Sequence, residues 1–387
     1  MTAPPKPERF ESLDGLRGVA ALTVVLFHFF SAYVPSLLPE QTDHSWRGTD
    51  TPLAVLYNGG FAVSVFFVLS GFVIANSAAA RRLPVWFNLC ARYVRLALPV
   101  LAGTLFGWAL LALSPHTVAA LKSVENHEWL NWVYDGGEPN IYWAAKDALI
   151  GVFVHGSSKF NNVLWTMKIE LLGSLAIYLL YGFVAAQYRV RALVIATLAS
   201  VIALRKPELA AFAIGALIRE AYVLDRLSAR WAWPALTFSI IFGAMMEGYG
   251  ARLGLTVSLP RMLALGEPHQ LWHVAAAAAV VYAVLVSSKM KHILSTQSAR
   301  FLGDISFGLY LVHVPLLYTL FVPIYLTARG DTLAMIILFA VFVAMSLFAG
   351  WVFTRLIDRP TILLIQRARS AMRAPLRTRS RERLRAS

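Results

Sequence analysis

Residues 332–354 read TLAMIILFAVFVAMSLFAGWVFT, a stretch without one charged side chain. A helix rises 1.5 Å per residue, so about 20 apolar residues cover the roughly 30 Å of a bilayer core. The stretch lies in an apolar run at 332–357 and is long enough to cross. Back along the chain, apolar runs recur at 14–34, 54–79, 94–113, 164–186, 190–204, 207–224, 232–248, 270–288 and 300–321. The sequence therefore predicts an all-α integral membrane protein, a bundle of about ten transmembrane helices. The runs at 190–204 and 207–224 are short, and Arg205, Lys206 and Pro207 separate them, which predicts a helical hairpin. A segment at 141–155 is too short to span and is expected at the membrane interface.

Composition agrees with this assignment. The chain has 387 residues, 58% hydrophobic and 14% charged, against about 45–50% and 25% in soluble domains. Ten spans leave only short connections, so residues 1–360 are expected to form one transmembrane domain. Residues 361–387 form an Arg-rich tail expected to be disordered. The formal charge of +14 does not imply nucleic-acid binding, because the basic residues sit between apolar runs or in that tail. Their distribution follows the positive-inside rule when the N-terminus is cytoplasmic. Both termini are then cytoplasmic, and the tail suits anionic lipid headgroups. The single cysteine, Cys90, excludes an internal disulfide. The first apolar run holds Arg17 and His28 without an obvious cleavage site, so it is expected to be a membrane helix rather than a removed leader.

Ionisable groups inside spanning helices cost several kcal/mol and persist mainly where they work or pair. The first helix reads LDGLRG from Leu13 to Gly18, with His28 eleven residues beyond Arg17. Eleven residues are close to three turns, so Arg17 and His28 share a face, about 16 Å apart along the axis. Asp14 is placed to pair with Arg17. The fourth span opens LWTMKIE, Leu164 to Glu170. In the ninth, Ser306, Tyr310 and His313 are spaced by four and three and line one face. Counting residues from the membrane surfaces puts His28, His313 and Glu170 each roughly 20 Å from the cytoplasmic side. Arg17 falls near that side. Two sites are implied, one anionic and inward, one acid–base and outward.

Plainer readings accompany each residue. A histidine in a bundle is often a hydrogen-bonded packing group, Glu170 can simply pair with Lys168 or an arginine, and Arg92 and Arg95 can be positive-inside anchors. His269 and His273 have ligand spacing, but without an evident third ligand no metal is expected. Trp129, Trp132, Tyr134 and Trp143, with an Asp135-Gly136-Gly137 turn, suit an interfacial aromatic belt or a glycan platform.

At these residues the sequence resembles the acyltransferase-3 family, membrane enzymes that acylate sugars and other acceptors. The resemblance covers roughly residues 9–360. It is carried by LDGLRG with His28 ten residues past the arginine's neighbour, by Phe66 to Phe72 (FFVLSGF), by Arg92-Tyr93-Val94-Arg95 ending at Pro99, and by Leu164-Trp165-Thr166 through Glu170 with Ile305 to His313. Thr166 stands where serine is usual, Phe307 where tyrosine is common, and Asp358-Arg359-Pro360 replaces a glutamate-containing ending. The resemblance implies transfer of an acyl group, usually acetyl from acetyl-CoA, to a hydroxyl of a surface carbohydrate such as lipopolysaccharide or exopolysaccharide. It also implies a multi-pass protein of a bacterial inner membrane. On this reading Arg17, Arg92 and Arg95, with Asp14, hold the donor's phosphates. His28 is general base or acyl carrier, and Glu170 orients or recharges it. Tyr310, Ser306 or His313 donates to the oxyanion. Ser70 and Gly71 are expected to serve helix packing. The alternative is a transporter or flippase of a glycan precursor or organic anion, which the lack of an internal repeat disfavours.

Overall fold

The computed structural model describes residues 10–34, 51–80, 83–125, 130–131, 133, 140–184, 187–203, 205–245 and 268–385. The proposed aromatic platform at 129, 132 and 134–137 lies outside them, as does the side chain of His269. The described residues form helices and turns, with no strand among them. In chain order the helices are α1 (Glu11–Tyr33), α2 (Gly59–Ala79), α3 (Val85–Leu113), α4 (Thr117–Lys122), α5 (Ile141–Lys146) and α6 (Val152–His155). There follow α7 (Trp165–Phe183), α8 (Tyr188–Ala203), α9 (Pro207–Val223), α10 (Ala232–Gly243), α11 (Pro268–Val286) and α12 (Ser288–Leu294). The chain closes with α13 (Gln297–Tyr318), α14 (Phe321–Ala328), α15 (Thr332–Phe353) and α16 (Arg359–Arg385).

Six of the described helices are long and apolar enough to cross a membrane. A seventh span results if α11 and α12, bent by 98° at Ser287, count as one. The expectation of about ten spans also includes α8, α9 and α10, which have 16, 17 and 12 residues. The hairpin of α8 and α9 forms where expected. Pro207 begins α9 because its missing N–H would have been an orphan there and its fixed φ suits a first turn. A π-turn at Thr354–Asp358 carries α15 directly into α16.

The segment at 141–155 is not one continuous α-helix. It packs along α3 as α5, a π-turn at Asp147–Gly151 and α6. The Tyr93 hydroxyl donates to the Leu149 carbonyl at 2.6 Å, and the Phe153 ring lies 5.3 Å from that of Tyr93. The chain then returns to meet α3 at Gly107, where Phe160 packs. Tyr93 and Gly107 are about 21 Å apart along the helix, so this segment descends beside α3 and climbs back. Non-helical backbone at such depth is tolerated where protein buries it, and Ser158, Phe160 and Asn161 are buried.

The central feature is the packing of α1 against α13. A Cβ at Gly18 would collide with backbone atoms of Leu302 and Gly303, and one at Gly303 with the Asp14 carbonyl. Ten residues further along each helix, His28 meets His313. Both contacts have the same sequence offset, so α1 and α13 run parallel and in register. The glycines let the backbones approach as small residues do in membrane bundles. Gly71 serves α2 in the same way, its Cα lying against the Phe212 backbone of α9.

Candidate active site

A cavity of about 370 Å³ opens between α1, α2, α3, α7, α13 and the π-turn after α15. Arg17, Arg92 and Arg95 all line it, as do Asp14, Glu170, Ser306 and Tyr310. Each guanidinium has a carboxylate partner. Arg17 Nη1 donates to Asp14 Oδ1 at 3.0 Å, and Arg95 Nη1 to Asp358 Oδ1 at 2.6 Å. Arg92 pairs with Glu170 through Nη2 and donates through Nε to Ser174 Oγ at 2.8 Å. The Ser70 hydroxyl donates to the same Glu170 carboxylate at 2.8 Å. The Arg95 guanidinium also stacks 5.3 Å over Phe307. An arginine has five N–H donors, so pairing with one carboxylate leaves donors for a second anion.

The two histidines lie further along α1 and α13. His313 Nε2 is 3.2 Å from His28 Nδ1, with ring centroids 5.0 Å apart. His313 is fully buried and His28 partly so. Each Nδ1 also lies 2.9 Å from the carbonyl four residues earlier, Leu309 for His313 and Val24 for His28. A carbonyl only accepts, so the hydrogen-bond network assigns the proton of each neutral ring to Nδ1. The single His28 Nδ1–H is then shared between the Val24 carbonyl and His313 Nε2, and the remaining lone pair of His28 is at Nε2. An acceptor on one ring nitrogen fixes the tautomer of an imidazole; here that acceptor is a second imidazole.

The Tyr310 ring links the two regions. It lines the cavity and lies 6.0 Å from His313 and 6.1 Å from Phe66. Its hydroxyl lies 2.7 Å from the Val163 carbonyl and 2.8 Å from Thr166 Oγ1. Either partner takes its proton. Ser306 likewise donates to the Gly303 carbonyl at 2.8 Å. Both hydroxyls thus have carbonyl partners within the bundle.

Glu170 departs from its expected position beside the histidines. It lies about one turn below Thr166, and Thr166 meets Tyr310, itself nearly a turn below His313. The level was misjudged because α7 begins beside Leu311 and Tyr310, within the bundle, rather than at the outer surface. Glu170 consequently joins the arginine cavity, paired with Arg92. Ser70, assigned to packing by sequence, also lines that cavity, as do Asp304 and Asp358. In the sequence Asp358 is marked by its place at the end of a long apolar run, where the resembled family has a glutamate-containing ending, but its partner is 263 residues away. His273 bonds the Asn58 amide at 3.0 Å and lies 2.6 Å from the Met245 carbonyl, joining α2, α11 and the end of α10.

The family model described as an acyltransferase domain matches residues 10–355, nearly the whole chain. The chain belongs to the acyltransferase-3 family. It is a multi-pass membrane acyltransferase. No curated protein and no solved structure matches it. The matched span of this acyltransferase includes both histidines and all three cavity arginines, and it ends within the π-turn, three residues before Asp358.

Proposed function

We propose that this acyltransferase moves an acetyl group from cytoplasmic acetyl-CoA to a hydroxyl of a cell-surface or exported carbohydrate, in the inner membrane of a bacterium. The observation that carries the reading is the His28–His313 contact placed beyond a cavity lined by three arginines. Coenzyme A is a polyanion, and guanidinium groups bind phosphate through paired donors. With the phosphates among Arg17, Arg92 and Arg95, the thioester arm extends past Tyr310 toward the imidazoles. The cavity suits part of the donor; drug-sized sites range over about 300–1,000 Å³.

In a direct transfer, His28 Nε2 takes the proton of the acceptor hydroxyl as its oxygen attacks the thioester carbonyl. The tetrahedral intermediate collapses, the C–S bond breaks, and the imidazolium returns the proton to the departing thiolate. His313 stabilises the positive charge on His28 by accepting its Nδ1–H. In a two-step transfer the same Nε2 attacks the carbonyl first and carries the acetyl group; a quenched single turnover that traps acetyl-imidazole identifies that route. The full count of about ten spans, with both termini cytoplasmic and the tail against anionic lipid, belongs to the same proposal. It puts the cavity at the cytoplasmic side, where coenzyme A is found.

The test compares ester-linked acetyl on surface carbohydrate in cells carrying the wild-type protein, His28→Ala at matched expression, or no copy. Acetyl that requires the protein and disappears with His28→Ala is the expected result. Unchanged acetyl in all three overturns the carbohydrate acceptor. A transporter would move solute without consuming acetyl-CoA, so donor consumption in membrane vesicles separates the two classes.

A further inference from the structure

The donor site just proposed raises a difficulty that the pairing pattern answers. Each of its three guanidiniums is already matched by a carboxylate, so a polyanion entering the cavity meets little unopposed positive charge. One carboxylate must give way. Asp14 lies three residues from Arg17 on the same helix and moves with it. Glu170 sits mid-helix in α7, fastened by Ser70 as well as Arg92. Asp358 is different. It ends the π-turn where α15 passes into α16, and its one bond to Arg95 spans separate elements. Single π-turns within α-helices are found frequently at functional sites. The Thr354 hydroxyl in this turn is buried without a partner.

We propose that Asp358 is a displaceable counter-ion, holding Arg95 before the donor enters and yielding it to a donor phosphate. Asp358 is then a positioning residue that sets donor affinity, and the junction of α15 and α16 is the part that gives way. The inference rests on the donor-site reading of the cavity.

Coenzyme A binding to the full-length protein in lipid nanodiscs, measured by calorimetry, tests it. Asp358 is buried and Arg95 about a quarter exposed, and Asp358→Asn, which releases Arg95 from one hydrogen-bonded partner, is expected to bind roughly fivefold tighter than wild type. Asp358→Ser, a smaller neutral replacement, should show the same gain, and Asp358→Glu wild-type affinity. In an Arg95→Gln background, removing the Asp358 charge should add nothing. A merely structural role predicts weaker binding for every Asp358 variant. Unchanged or weaker binding by Asp358→Asn and Asp358→Ser, with folding confirmed by thermal unfolding, overturns the counter-ion role. If wild type itself fails to bind coenzyme A, the donor-site reading falls and takes this inference with it.

Discussion

At the scale of single residues, the proposed mechanism gives His28 and His313 unequal roles despite their similar surroundings. His28 holds the basic Nε2 and His313 spends its own on orienting it. A general base contributes about 10²–10⁴-fold to rate, so His28→Ala is expected to lower acetyl transfer by at least that lower figure. His313→Phe keeps bulk and removes the acceptor; it should lower turnover by roughly tenfold or more. His313→Gln can still accept from Nδ1–H and should recover part of the loss. Turnover in membrane vesicles measures all three, and equal losses for Phe and Gln would show that His313 only fills space. Glu170 gives a stability prediction. Removing one member of a buried pair leaves an uncompensated charge, at a cost of about 3–5 kcal/mol. The Arg92–Glu170 pair faces a cavity, so Glu170→Gln should cost less, roughly 2 kcal/mol by the same argument. Arg92→Gln combined with Glu170→Gln should cost less than the two separate losses added together. Thermal unfolding in detergent measures the difference.

At the scale of elements, the His28–His313 contact depends on how closely α1 and α13 pack. Gly18 and Gly303 allow backbone contact about 15 Å before the histidines, and the parallel register carries that contact up to His28 and His313. Gly18→Val inserts a branched side chain into the Leu302–Gly303 backbone. Overpacking of this kind costs typically about 1–3 kcal/mol. Acetyl transfer is expected to fall much further than stability, because the imidazoles lose their 3.2 Å contact. A variant that keeps full activity would show that the two helices can separate without consequence. The LDGLRG stretch thus owes its two glycines to packing and its Asp14 and Arg17 to the cavity.

At the scale of the whole molecule, the proposed topology is open to a direct measurement. An even number of spans puts both ends of the chain on one side, and Lys/Arg bias makes that side cytoplasmic. Reporter fusions at the N-terminus and after Arg385 should both read cytoplasmic. Opposite readings would require an odd count, such as the seven spans obtained when α8, α9 and α10 are left out.

Much of this was legible in one dimension. Helix periodicity put Ser306, Tyr310 and His313 on one face and Arg17 on the face of His28, because the 3.6-residue repeat is local. Hydrophobic run length identified the membrane helices, since the thickness of the bilayer sets that length for any sequence. Depth along parallel helices brought His28 and His313 to one level correctly. The same count failed for Glu170, because the chain before α7 dips into the bundle and a residue count from the surface assumes that it does not. The Asp14–Arg17 pair was legible from its spacing, but only the tertiary structure decided which carboxylates meet Arg92 and Arg95. Arg95 and Asp358 lie 263 residues apart and Arg92 and Glu170 lie 78 apart. Such pairs are selected by how helices dock, and glycine contacts and turn geometry distant in the chain set that docking.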